Sequence, residues 1–342
     1  MYNSVHIEGY RSLPALSLKI SRKCREFVYE RDVAIMTNVF IDGSAGTTGL
    51  RIRERLATRE DIRLIRLPEE LRKSPEARKE AINSADIVFL CLPDAAAVEA
   101  VSLAENPAVR IIDTSTAHRT DAGWVYGFAE LAGQREQIAQ SRRIANPGCH
   151  ASGFVALVAP LVQRGIIRPE ANLSCFSLTG YSGGGKKMIA EYEALERSPL
   201  LKGPRQYALT QQHKHLKEMV ALCGLEHAPV FCPIVGDFYS GMEVTVPLFA
   251  GEIKGTIDDI REVYRSYYAS GLVRFAESAD DDGMLSAAAF SGRDDMQVAV
   301  FGNEERIVLT ARFDNLGKGA SGAAIQNMNI LLGVDETTGL NV

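Results

Sequence analysis

"FIDGSAGTTGLRIRERL", residues 40–56, passes from an apolar strand through three spaced glycines into a helix. Glycines at such a turn let the backbone bend tightly and approach a pyrophosphate, which the amides and dipole of the following helix stabilise. Gly43, Ser44, Gly46, Thr47, Thr48 and Gly49 are therefore the expected cradle of a dinucleotide. A plain strand-to-helix turn uses glycines too, so the flanking pattern decides between the two readings.

That pattern alternates. "IRLIRL", the helical "PEARKEAINSA" and the apolar strand "DIVFLCL" come next, followed by "AAAVEAVSLAE", "RIIDTS", "AELAGQREQIAQ" and "RRIAN". Strand and helix in turn predict a parallel sheet covered by helices, a Rossmann-like domain over residues 36–148. Beyond it a helix is expected over residues 151–164, kinked at Pro160. The β-rich runs "NLSCFSLTGYS", "EVTVPLFAG", "MQVAVFGN" and "RIVLTARFDN" then predict an α+β domain with a largely antiparallel sheet over residues 149–317. The chain closes on "KGASGAAIQNMNILLG", a small-residue helix whose destination composition leaves open.

The second strand carries no acid at its last position, although Glu69 and Glu70 follow Pro68. Arg66, Arg72 and Lys73 gather there instead, and a ribose 2'-phosphate needs cations where a 2'-hydroxyl needs a carboxylate. The expected cofactor is NADP, with Arg66 at the phosphate; a solvated basic face is the alternative.

Composition narrows the partners. The net charge of -5 on 342 residues offers no positive field for nucleic acid or an anionic membrane. The six cysteines lie far apart without C-x-x-C or metal-ligand spacing, which fits a reducing cytoplasm and no bound metal. The most apolar stretch, residues 87–101, is cut by Pro93 and Asp94, and no continuous run approaches the length of a bilayer span. Residues 1–35 mix Arg22, Lys23, Arg25 and Arg31 with Glu26, Glu30 and Asp32 and lack a signal-peptide core. They read as a dispensable extension before a natural start at Met36, a transit peptide being the alternative.

Four further stretches carry chemistry. In "ANPGCHASG", residues 145–153, Cys149 stands at a helix start, where the dipole favours thiolate, and the small residues after it admit a substrate carbonyl. Cys91 and Cys175 sit inside apolar strands and read as inert. "TQQHKHLKEM", residues 210–219, offers His213 or His215 as acid and base with Glu218 to orient the ring; a metal pair or a polar strand is the alternative. "GYSGGGKKM", residues 180–188, suits an anion or a tight domain contact through Lys186 and Lys187. "DTSTAHRT", residues 113–120, ends a strand with Ser115, His118 and Arg119 in the region where open parallel sheets bind ligands, and together these stretches suggest phosphate.

These motifs resemble those of the N-acetyl-gamma-glutamyl-phosphate reductases of arginine biosynthesis, in their shorter class, within the group that includes aspartate-semialdehyde dehydrogenase. The resemblance covers nearly everything from Met36 onward. It implies that Cys149 is the nucleophile and His215 the acid/base, with His213 beside it. It implies that Arg119 meets the acyl phosphate, with Ser115, Lys186 and Asn146 as further substrate contacts. Ser182, Gly183, Gln326 and Asn327 would lie at the cofactor, the helix of residues 318–342 completing the first domain while residues 149–317 hold catalysis and oligomerisation. A homodimer or homotetramer is implied, with NADPH-dependent reduction through a cysteine thioester. Lys217 departs from the family's usual proline in its H-x-H-x-P-E run. A reductase of a related aspartyl or aminoadipyl phosphate, and a non-catalytic dinucleotide sensor, are the competing expectations.

Overall fold

The computed structural model describes residues 36–342; the expectations for residues 1–35 lie outside the described residues. Strands β1 (Thr37–Asp42), β2 (Ile62–Ile65), β3 (Ile87–Leu90), β4 (Arg110–Asp113), β5 (Val125–Tyr126) and β6 (Arg143–Ala145) form one sheet in the order β2-β1-β3-β4-β6-β5. Every neighbouring pair is parallel. All four residues of β3 are buried, as in a strand covered on both faces. Helices α1 (Thr47–Leu56), α2 (Pro75–Ser84), α3 (Asp94–Ser102) and α4 (Gln134–Gln140) connect the strands. Burial of Gly49, Ile52 and Leu56 fixes the inward face of α1. From β1 the chain goes to one side for β2 and then crosses to β3 on the other. The carboxyl ends of β1 and β3 thus flank a topological switch point, where open sheets of this kind take ligands.

Helix α5 (Cys149–Gln163) leads into the second sheet. It starts two residues earlier than expected, so Cys149 is its first residue, and it runs through Pro160. Proline has no N–H for the Ala156 carbonyl, and the Tyr268 hydroxyl donates to that oxygen instead at 2.7 Å. Strands β7 (Ser174–Gly180), β8 (Arg205–Gln206), β9 (Val230–Gly236), β10 (Met242–Phe249), β11 (Val273–Phe275), β12 (Met296–Gly302) and β13 (Arg306–Phe313) lie in the order β11-β12-β13-β10-β7-β9-β8. Four of the six pairings are antiparallel, those of β12 with β13, β13 with β10, β10 with β7 and β9 with β8.

α5, α7 (Leu216–Cys223) and α8 (Ile257–Tyr267) share a core with the inward residues of this sheet, among them Val244, Leu309 and Phe313. On the opposite face Phe176, Val230 and Phe249 are exposed. The last helix, α9 (Gly322–Leu332), follows a π-helical turn at Gly317–Ser321 and returns to the first sheet. There Ala324, Ile325 and Met328 pack with Val39, Ile41 and Ile112.

Candidate active site

Two cavities open at the carboxyl edge of the parallel sheet. The glycine turn after β1 walls both, and its conformation admits no other residue at two positions. Gly43 has φ +87°, and a Cβ there would lie 2.2 Å from the Cys91 carbonyl oxygen. A Cβ at Gly49 would lie 2.6 Å from the Gly43 carbonyl oxygen. Gly46 precedes α1, so the free amides at that helix start face the cleft. A cavity of about 590 Å3 between β1 and β2 is lined by Gly43, Ser44, Arg53, Arg66, Arg72 and Lys73, with Glu69 and Glu70 opposite. Arg72 is already paired with Glu69 at 2.5 Å. These residues fit a dinucleotide whose adenosine end carries an added phosphate: a backbone cradle without side chains, then Arg66 and Lys73.

The second cavity, about 460 Å3, joins the glycine turn to α5. Its walls bring together Gly46, Thr47, Thr48 and Gly49 with Cys149, His213, His215, Arg119, Ser115, Asn146, Ser182 and Gly183. The tightest point is Gly148, directly before α5. A methyl group there would lie 2.4 Å from Arg119 Nη1 and 2.5 Å from His215 Nε2. Arginine, imidazole and the start of the cysteine helix therefore meet around one bare Cα.

The Cys149 thiol departs from expectation. It sits at the helix start and Arg119 draws its pKa down, yet burial outweighs both and pushes it up to about 11. The helix terminus does not by itself make a resting thiolate. His215 is buried, and desolvation, reinforced by the Arg119 charge, holds its imidazole well below the usual range. At neutral pH the cleft thus holds a protonated Cys149 thiol and a neutral His215 imidazole in one wall. His213 is half-buried; its Nδ1 accepts the His215 backbone N–H at 3.2 Å.

Glu218 does not orient a histidine. Its carboxylate accepts from Arg119 Nη1 at 2.6 Å, the Tyr126 hydroxyl at 2.9 Å and the Gly148 N–H at 3.0 Å. A carboxylate gains more from a guanidinium, a phenol and a backbone amide than from a neutral imidazole. Arg119, buried and also donating to the Thr114 carbonyl at 3.0 Å, is in consequence fixed at the cleft wall.

The remaining expected residues divide. Ser115 lines the cleft with its hydroxyl donating to Asp113 at 2.7 Å. Asn146 lines it too, its amide donating to the Ala320 carbonyl and accepting from Asn327 Nδ2 at 3.2 Å. Asn327 stands behind Asn146 and reaches the cleft only through it. Ser182 accepts from Asn315 Nδ2 at 3.0 Å.

Two placements are corrected. Gln326 lies within a buried cluster, bonded to Lys318, Glu130 and Glu336, away from both cavities; the Lys318–Glu130 ion pair gives its amide a better-paired site than an open cleft. Lys186 is exposed on α6 (Gly185–Glu193), whose phase turns Gly185 and Met188 to the cleft and the lysines to solvent. Cys91 and Cys175 are held as thiols by burial, Cys91 pushed up to about 12.

Unanticipated at the site are His150, Tyr207, Thr179 and Asn315. His150 follows Cys149 directly, and nothing in the sequence marks its ring as internal. Among the described residues no three His, Cys, Asp or Glu side chains gather as metal ligands, and no helix is long and apolar enough to cross a membrane.

The family model described as semialdehyde dehydrogenase, NAD binding domain, matches residues 48–141, and that described as semialdehyde dehydrogenase, dimerisation domain, matches residues 149–315. The chain is 44% identical over 319 residues to N-acetyl-gamma-glutamyl-phosphate reductase 2 of Nostoc sp., covering 88% of this chain and 98% of that one. It is 46% identical over 306 residues to N-acetyl-gamma-glutamyl-phosphate reductase of Brucella ovis, covering 86% and 98%. Among solved structures, aspartate semialdehyde dehydrogenase II of Vibrio cholerae complexed with ASA superposes with a TM-score of 0.65 at 15% identity, covering 87% of this chain and 98% of that one. Aspartate semialdehyde dehydrogenase of Francisella tularensis gives 0.64 at 14%, covering 87% and 100%.

Proposed function

The chain belongs to the N-acetyl-gamma-glutamyl-phosphate reductase family, and from that premise we propose how its own residues perform the reduction of N-acetyl-gamma-glutamyl phosphate to N-acetyl-glutamate semialdehyde and phosphate. The observation that supports the assignment best is the meeting of Cys149, Arg119 and His215 around Gly148. His215 takes the thiol proton as Cys149 Sγ attacks the acyl-phosphate carbonyl. The carbon–sulfur bond forms, the carbon–oxygen bond to phosphate breaks, and Arg119, held by Glu218, orients the departing phosphate. The glycine turn, with Arg66 and Lys73 beside it, would hold NADPH, which would supply the hydride for the thioester carbon. The resulting oxyanion then collapses to the aldehyde. His215 returns its proton to the departing sulfur, which restores thiol and neutral imidazole, and the released phosphate takes from solvent the one proton that the overall reaction consumes.

Ser115 and Asn146 complete the substrate wall, and Ser182 and Gly183 the cofactor wall. Residues 36–148 with 318–342 form the NADP-binding domain and residues 149–317 the catalytic and oligomerisation domain. The matched dimerisation domain and the bare sheet face carrying Phe176, Val230 and Phe249 support a homodimer or homotetramer. Its place is the cytoplasm, in arginine biosynthesis. The test is phosphate-dependent reduction of NADP+ by N-acetyl-glutamate semialdehyde, with aspartate semialdehyde in parallel. Preference for the acetylated substrate is expected; preference for aspartate semialdehyde, or no turnover of either, refutes the assignment.

A further inference from the structure

One polar chain in the cleft wall takes no part in these steps. Ser177 Oγ, buried in β7, lies 2.7 Å from His150 Nδ1, and His150 Nε2 lies 2.7 Å from Tyr207 Oη. Burial pushes the His150 imidazole down to about 3, so the ring is neutral and carries a single proton. The position of that proton follows from Ser177. Its hydroxyl has no second partner among the described residues, and a buried donor left unmade costs more than an oxygen with a spare lone pair. Ser177 therefore donates to Nδ1, the ring proton sits on Nε2, and Nε2–H donates to Tyr207 Oη. The phenolic hydrogen of Tyr207 is left free for something else, and Tyr207 lines the same cleft as Cys149.

The backbone around Tyr207 is held at a cost. Ala208 and Gln211, at φ +52° and +57°, are two of the three non-glycine residues with positive φ among the described residues. The Gln211 amide pairs with both backbone groups of Phe231, each at 2.8 Å, and the Tyr207 N–H donates to the Pro233 carbonyl at 3.0 Å. This segment leads directly to His213 and His215, so Tyr207 and the imidazoles are set by one clamp.

We propose that Tyr207 donates its phenolic hydrogen to an oxygen at the amino-acid end of the substrate, with Ser177 and His150 as positioning residues that keep it a donor. The inference rests on the substrate reading above. That end offers two acceptors of the same chemistry, the α-carboxylate and the acetyl carbonyl.

The experiment is a cycle of enzyme and substrate changes in the oxidative direction, with NADP+ and phosphate saturating. Wild type, Tyr207→Phe and Ser177→Ala are compared on N-acetyl-glutamate semialdehyde, on 5-oxopentanoate, which keeps only the carboxylate, on 4-acetamidobutanal, which keeps only the acetamide, and on butanal, which has neither. Tyr207→Phe removes one oxygen atom and keeps the ring. On N-acetyl-glutamate semialdehyde it should lower kcat/KM roughly 10- to 100-fold if the carboxylate is the acceptor, and about 5-fold if the acetyl oxygen is. The loss should persist on whichever truncated aldehyde retains the acceptor and vanish on butanal. Ser177→Ala should lower kcat/KM in the same pattern by a smaller factor, because loss of the Ser177 hydrogen bond loosens the His150 ring that holds Tyr207 in place while the Nε2 proton stays where it is. An equal loss on butanal, or no loss on N-acetyl-glutamate semialdehyde, overturns the proposal. Each comparison is a ratio within one substrate, so it is read independently of which semialdehyde the wild type prefers.

Discussion

Replacing Gly148 by alanine adds one methyl group at the point where Arg119 and His215 converge. The backbone permits it: Gly148 has φ -81° and ψ 144°, a region open to every residue, so any effect is steric. The new Cβ would lie 2.4 Å from Arg119 Nη1 and 2.5 Å from His215 Nε2. Ordinary contact therefore demands a shift of about 1 Å by one or both. Neither moves freely. Arg119 is tied to Glu218 at 2.6 Å and to the Thr114 carbonyl at 3.0 Å, and His215 is buried at the start of α7. Overpacking of this kind costs about 1 to 3 kcal/mol of stability, and a catalytic group displaced by about 1 Å costs on the order of 10²-fold in rate. The variant should fold with a lowered melting temperature, lose on the order of 10²-fold in kcat/KM, and show a raised KM for phosphate. Its Kd for NADP+, measured by fluorescence titration, should stay near wild type. Gly203→Ala is the control, since nothing lies within 4 Å of its Cβ. A Gly148→Ala enzyme with wild-type kcat/KM and phosphate KM would refute the convergence of Arg119 and His215 at this point.

Cys149→Ser should abolish turnover while leaving the Kd for NADPH near wild type, because a hydroxyl is far less acidic than the thiol it replaces; residual activity close to wild type removes Cys149 from the reaction. Site-resolved alkylation of Cys149 by iodoacetamide, followed by mass spectrometry in the absence of substrate, should accelerate about tenfold per pH unit between about pH 7 and 9, since the thiol is pushed up to about 11 and the reactive thiolate is a minor species throughout. A plateau near neutrality would mean that the helix terminus outweighs burial. His215→Asn should lower kcat by roughly 10²- to 10⁴-fold and His213→Asn by less; the reverse order exchanges their roles. Arg119→Leu should raise the KM for phosphate steeply with the Kd for NADP+ unchanged, and Arg119→Lys should do so less, because lysine keeps the charge and loses the two-pronged geometry.

Where the chain states its fold openly, the reason is local. Alternating strand and helix patterns over residues 36–148 appear as the six-stranded parallel sheet, and Gly43 and Gly49 are glycines because neighbouring carbonyl oxygens occupy the space of a Cβ. Strand β9 is harder to read, since Pro233 stands in its middle and proline argues against an interior strand. Pro247 in β10 is accommodated because the pairing with β7 ends at Thr245, so no partner there asks for its missing N–H. Lys186 follows a glycine run that looks like an anion loop, and only the helical phase of α6 shows that it points away.

The site is less legible than the fold because its decisive contacts join distant parts of the chain. Glu218 reaches Arg119 across 99 residues, Tyr126 across 92 and the Gly148 N–H across 70. From sequence its obvious neighbour was His215, three positions away. Spacing also reveals the helix start at Cys149 but not the packing around it, and the two act in opposite directions on the same thiol. The outcome bears on mechanism. A resting thiolate would need no base, whereas a buried thiol needs one, and a histidine charged at neutral pH would be the wrong one. The same burial that holds the Cys149 proton keeps the His215 imidazole neutral, as the proposed base must be. In the proposed mechanism Arg119, its charge shared with Glu218, serves the arriving phosphate, while proton transfer within the Cys149–His215 pair leaves the net charge of the cleft unchanged.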